Sequence, residues 1–253
     1  MIELLLCSTL VKTGLPESFI IGGNPAPDYE TSVAAIVSFQ EHQATFGFLF
    51  TGSLITNQHI LTVAQAIQGY VNWHVGLGSV DRDAMQYFES STVHIHDQYN
   101  PQFLQNNIGI IVLHEAIPPI VALPMTLPPE HPTLSPMYRY YGFGLTDPND
   151  FGSAAYRLKY GFTSQVSLEE CRNIFGSLLI TNGTWCGQQF NTGLCHGDQG
   201  GPMIHFFDNH LVAIGSHWMD PCHGGFPDVF VNVSYYLSWI YQIINAPIPV
   251  EGL

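Results

Sequence analysis

The feature that most limits what this chain can fold into is the length of its apolar runs. SVAAIVSF (Ser32–Phe39), FGFLFTGSLIT (Phe46–Thr56), HILTVAQAI (His59–Ile67), STVHIH (Ser91–His96), IGIIVL (Ile108–Leu113) and HLVAIGS (His210–Ser216) are apolar or alternating over strand length. Glycine and proline, 24 and 17 residues, punctuate them. Such spacing predicts an all-β protein, a sandwich or barrels. Helix signals are confined to two places. SLEECRNIF opens on Ser167 with Glu170 three residues on, a capping box for a short helix. VSYYLSWIYQII near the C-terminus carries an apolar helical stripe of Tyr236, Leu237, Ile240, Tyr241 and Ile244. Between them in character, Thr126–Met137 (TLPPEHPTLSPM) is rich in proline and polar residues and reads as a linker between two halves.

Charge narrows the function. Six Lys and Arg stand against 20 Asp and Glu, a formal charge of −14. This excludes phosphate-backbone binding, which needs clustered cations, so no nucleic acid is expected as partner. No apolar run reaches the roughly 18 residues of a membrane span. The scarcity of Lys and Arg would suit a protease-rich fluid, or simply make an acidic surface.

The N-terminal MIELLLCSTLV has the apolar core of a secretory signal, with Glu3 where a basic residue is usual. Residues 1–19 are accordingly expected to be a leader or propeptide-like segment, and the product to be secreted. Without Cys7, four cysteines remain: Cys171, Cys186, Cys195 and Cys222. That even number allows three pairings and suits an oxidising compartment. Asn182-Gly183-Thr184 and Asn232-Val233-Ser234 are candidate glycosylation sites. No zinc-ribbon spacing occurs; His94, His96 and Asp97 have ligand-like spacing but read as a surface strand, so no metal and no cofactor are expected.

Six strings stand in a telling order: FIIGGNPAP from Phe19, GSLITNQHILTVAQAI from Gly52, NNIGIIVL from Asn106, YGFGLTD from Tyr141, CHGDQGGP from Cys195 and PDVFVNVSYYLSWI from Pro227. Together they resemble the chymotrypsin-type serine protease family over about residues 20–244, with insect and crustacean digestive members most similar. The resemblance implies two six-stranded antiparallel barrels with a C-terminal helix. It places the homology domain at 20–253, with one barrel at about 20–125, the linker at 126–137 and the second barrel and helix at 138–253.

The same resemblance implies that the catalytic triad is gone. The family's histidine position falls on Gln65, its aspartate on Asn107 and its serine on Gln199. A primary amide neither accepts nor gives a proton near pH 7, and Gln199 has no hydroxyl or thiol. Loss of such a triad costs about 10⁶ in turnover, leaving ~10³–10⁴ over water if the oxyanion-hole backbone at Gly197 survives. One family disulfide is absent as a pair, its positions being Phe50 and Ala66. The remaining bridges are then implied to be Cys171–Cys186 and Cys195–Cys222. Family members are cut before the Ile20 position, and the new amine pairs with the acid at Asp198. Here Phe19 precedes, so either a chymotrypsin-type enzyme cuts and Ile20 pairs with Asp198, or Asp198 stays in a precursor-like arrangement. The specificity pocket maps to Gly193, Trp218 and Asp228. Gly193 excludes a trypsin-like preference, and Trp218 either narrows the pocket or swings outward on a shifted loop.

The expected function is therefore that of a secreted pseudoprotease that binds a peptide, a protease inhibitor or a partner protease without cutting. The rival readings are a hydrolase of non-standard mechanism and a storage or structural fluid protein.

Overall fold

The computed structural model describes residues 20–41, 46–222 and 225–245; the expected leader, with Cys7, lies outside them. Two antiparallel sheets account for almost all regular structure. The first joins β2 (Val33–Phe39), β3 (Phe48–Leu54), β4 (His59–Thr62), β5 (Asn72–Leu77), β6 (Gln86–Ser90), β7 (Thr92–Ile95) and β8 (Gly109–Val112), in the order β6-β5-β2-β3-β4-β8-β7. Only Ser91 separates β6 from β7, so the two form one bent strand and the row curls into a six-stranded barrel. Ser90 fixes the corner, its hydroxyl donating to Val112 O at 2.6 Å.

The second sheet contains β9 (Tyr138–Gly142), β10 (Lys159–Val166), β11 (Thr184–Gln189), β12 (Pro202–His205), β13 (Leu211–His217) and β14 (Asp228–Asn232). Its order is β10-β11-β14-β13-β12-β9, and β9 pairs back onto β10, closing six strands. The two-residue β1 (Asn24–Pro25) adds to the outside of β10. The N-terminal segment therefore pairs with the second barrel, not the first as the expected boundary at residue 20 would have it. The cause is burial of Ile20 among Tyr138, Tyr140, Trp185 and Leu194. No strand interrupts the path from β8 to β9, which contains the proline-rich stretch.

Alternation explains the packing. Ile36, Leu54, Ile60, Trp73, Val75 and Ile111 fill the first barrel, and Tyr138, Tyr140, Trp185, Met203 and Phe230 the second. Between the barrels, Leu61, Val63, Ile108 and Ile110 meet Leu211, Ile214 and Val231. Helix α2 (Leu237–Ile244) docks on that seam through Ile240, with Ile244 partly buried beside it. Tyr241, expected on the buried stripe, is instead exposed, because the docking face follows Leu237, Ile240 and Ile244. Helix α1 (Leu168–Phe175) begins at Ser167, whose hydroxyl accepts the Glu170 N–H at 3.1 Å. Disulfides join Cys171 to Cys186 and Cys195 to Cys222. Phe50 packs into the first barrel and the seam, and Ala66 is fully buried, filling the space a bridge there would take. Among the described residues no helix is long and apolar enough to cross a membrane.

Candidate functional site

The motif residues converge where the barrels meet. Gln65 sits in the one-turn helix Ala64–Ala66 that follows β4, and Asn107 in the segment entering β8. The Gln65 N–H donates to Asn107 Oδ1 at 3.1 Å, and Asn107 Nδ2 donates to Gln65 Oε1 at 3.3 Å. From the second barrel, Ser216 O accepts Gln65 Nε2 at 3.2 Å and Ser216 Oγ accepts Asn107 Nδ2 at 3.0 Å. Each polar group of these two amides thus serves a neutral network that ties the barrels together. Sequence reasoning missed Ser216; its hydroxyl also lies 3.1 Å from Nδ1 of the neighbouring His217. Burial pushes the His217 imidazole down to about 4.

Gln199 turns away from that network. Its Oε1 accepts the Gly197 N–H at 2.9 Å. Gly197 adopts φ +101, open to glycine, and its carbonyl is held by Thr51 Oγ1 at 2.8 Å. Gly200 must also be glycine: at φ +84, a Cβ there would strike Thr62 Oγ1 and Thr51 O. The Gly197 donor, expected at the oxyanion-hole position, is therefore occupied by the Gln199 side chain. The reason is simple reach: a glutamine extends two carbons beyond Cβ and folds back onto the amide two residues before it.

Asp198 is fully buried. Its Oδ1 accepts Gly144 N–H at 2.8 Å and its Oδ2 accepts Cys195 N–H at 2.9 Å. Desolvation raises the carboxyl to about 7 despite these two bonds. Among the described residues Asp198 has no ion-pair partner. In the uncut chain Ile20 N is a neutral amide, so of the two expected alternatives the one present is the precursor-like arrangement, with Asp198 held by backbone donors. Ile20 itself is buried and Ile21 bridges to Gly193.

The pocket residues gather behind the disulfide. Asp228, 3% exposed, accepts the Leu194 N–H at 2.7 Å, and burial raises its carboxyl well above the usual range. Trp218 is partly buried. It packs on the Leu194 and Cys195–Cys222 clusters, meets the His196 ring edge-on at 5.2 Å, and donates to Asp220 Oδ1 at 3.3 Å. On the other side of Gln199 a cavity of about 400 Å³ remains, lined by Phe48, Leu49, Phe50, Phe151 and His196. A larger one, about 730 Å³, lies along residues 146–159 and includes none of Gln65, Asn107, Gly197 and Gln199. Asn182 is exposed, whereas Asn232 is half-buried with its Oδ1 held by Ser234 Oγ at 2.8 Å.

Comparison with known proteins agrees with this architecture. The trypsin family model matches residues 20–240. Chymotrypsin-C of Rattus norvegicus is 31% identical over 77% of this chain and 77% of its own. Brachyurin of Leptuca pugilator is 27% identical over 82% of this chain and 95% of its own. Among solved structures, the inactivated protease paralogue S-D1 of the scabies mite superposes with a TM-score of 0.78 at 22% identity, covering 91% of this chain and all of that one. HL collagenase gives 0.80 at 23% identity, covering 90% and 100%.

Proposed function

This chain belongs to the trypsin family of serine proteases, and we propose that it is a secreted, non-catalytic member of that family. The observation that carries the reading is the hydrogen bond from the Gly197 N–H to Gln199 Oε1. In the family's chemistry a nucleophile attacks a carbonyl while backbone donors stabilise the oxyanion. Here the position aligned with the nucleophile supplies an amide, and that amide's oxygen sits on the donor. Gln65 and Asn107 are likewise neutral amides, engaged with each other and with Ser216. Two disulfides and the curated relatives' own class support an extracellular location after loss of residues 1–19. The aromatic cavity beside Gln199 suits an apolar peptide segment, as offered by a protease inhibitor or a partner protease.

Purified protein assayed on chymotrypsin-, trypsin- and elastase-type peptides should show no turnover, and a fluorophosphonate should not label it. Turnover that co-purifies with the chain and survives Gln199→Ala would overturn the reading.

A further inference from the structure

The hairpin between β12 and β13 lies at the opposite end of β12 from Gln199 and takes no part in the cleft. His205 closes β12, and His210 immediately precedes β13. The His205 N–H donates to His210 O at 2.9 Å and the Asn209 N–H to His205 O at 3.0 Å, so the two histidines face each other across the turn. Their rings stack at 4.9 Å, 14° apart. Asp208, in the turn, donates its N–H to His205 Nδ1 at 3.2 Å and places Oδ2 3.3 Å from the same nitrogen. His205 and His210 are 3% and 6% exposed. Yet the Nε2 of each is buried with no hydrogen-bond partner among the described residues. Two adjacent orphaned imidazole nitrogens beside a carboxylate are costly unless something binds them.

We propose that His205, Asp208 and His210 form a binding site for a divalent transition-metal ion, Zn²⁺ foremost, which pins the β12–β13 hairpin. One nitrogen from each ring and one carboxylate oxygen already lie within 4.8 Å of one another. Donors on a tetrahedral zinc, with bonds of 2.0–2.2 Å, stand about 3.3 Å apart. Closure therefore needs a contraction of at most about 1.5 Å, part of which the solvent-exposed Asp208 side chain is free to supply. The mixed imidazole and carboxylate set selects a zinc-like ion; calcium and magnesium require more oxygen ligands. Water from the Asp208 side completes the fourth position. Sequence alone pointed to no metal, because the ligands become neighbours only through the hairpin register.

The chain carries 12 histidines, so the test is differential. Metal-free full-length protein is titrated with Zn²⁺ against a chromophoric chelator, and with Co²⁺ for inner-sphere absorption bands. We expect one strongest site per chain, a rise in Tm on zinc addition, and at least a tenfold loss of affinity in Asp208→Asn and in His210→Gln. His94→Gln and His196→Gln should leave it unchanged. Asp208 is exposed, so its variant decides the matter even if His210→Gln does not fold. Equal zinc affinity in wild type and Asp208→Asn, or a loss that falls on His196→Gln instead, overturns the proposal.

Discussion

At the scale of single residues, the cleft is built from groups that burial holds neutral. Asp198 is raised from 3.8 to about 7, so the folded chain binds more protons than the unfolded chain between those values. Its contribution to stability therefore falls as pH rises through that window. His217 is lowered from 6.5 to about 4, so the unfolded chain binds more protons there and stability rises with pH over that range. The two slopes oppose each other below about pH 6.5, and above it the Asp198 slope remains, in the same direction as that of Asp228. Urea unfolding should thus show wild-type stability falling from pH 6.5 to 8, and Asp198→Asn should flatten part of that fall. Identical pH profiles would sink the assignment. A second expectation concerns Asn107, 1% exposed. Asn107→Asp would set a carboxylate oxygen against Gln65 Oε1, destabilising by about 2–3 kcal/mol. Adding Gln65→His supplies a donor, so a double-mutant cycle should return a favourable coupling of about 1 kcal/mol or more. Strict additivity would mean the two side chains do not communicate.

At the scale of elements, the end of β13 is as important as the motif residues. The Gly197 N–H already points at the side chain of residue 199 in the uncut chain, so Gln199→Ser frees that donor directly. Trp218 remains, packed on Leu194 and the Cys195–Cys222 bridge. We expect Gln65→His, Asn107→Asp and Gln199→Ser together to give little activity, since a substrate displaced by about 1 Å can lose 10²-fold. Adding Trp218→Gly should raise kcat/KM on apolar peptide substrates by about that factor. If the triple variant already matches ordinary proteases, or the fourth change does nothing, the role given to Trp218 is wrong. What the sequence could and could not reveal divides along the same line. Strand-length runs and ordered motifs make the barrels readable, and they bring Gln65 beside Asn107, because these depend on chain order and alternation. The return of Gln199 Oε1 onto Gly197, the packing of Trp218 and the exposure of Tyr241 depend on torsions and helix phase, which no local pattern encodes. The facing of His205 and His210 depends on strand register.

At the scale of the whole molecule, the distribution of the few cations gives the surface its character. Five of the six basic residues lie in described segments, Lys12 lying outside them. Arg157 bonds Asp81 at 2.9 Å and also Asp28. Arg139 donates to Tyr141 Oη at 3.1 Å, 3.9 Å from Glu30. Arg82 covers the Tyr156 ring at 5.0 Å, and Arg172 donates to Ile180 O and Asn182 Oδ1, each at 3.1 Å. Lys159 is only 4% exposed, within β10. The outer surface is thereby left to carboxylates, which steers cationic partners toward the chain and repels anionic ones. It also denies trypsin its substrate, because a protease needs an extended segment with its specificity residue free, and freeing any of these five requires local unfolding. Phe151 is placed differently: it is 78% exposed on the loop beside the cleft. Limited proteolysis of the native chain should therefore show the segment from residue 20 to 245 resisting trypsin while a chymotrypsin-type enzyme nicks it, first after Phe151. Trypsin cleavage after Arg82 or Arg157 at the rate seen in the urea-unfolded chain would show that these ion pairs and stacks do not protect the backbone.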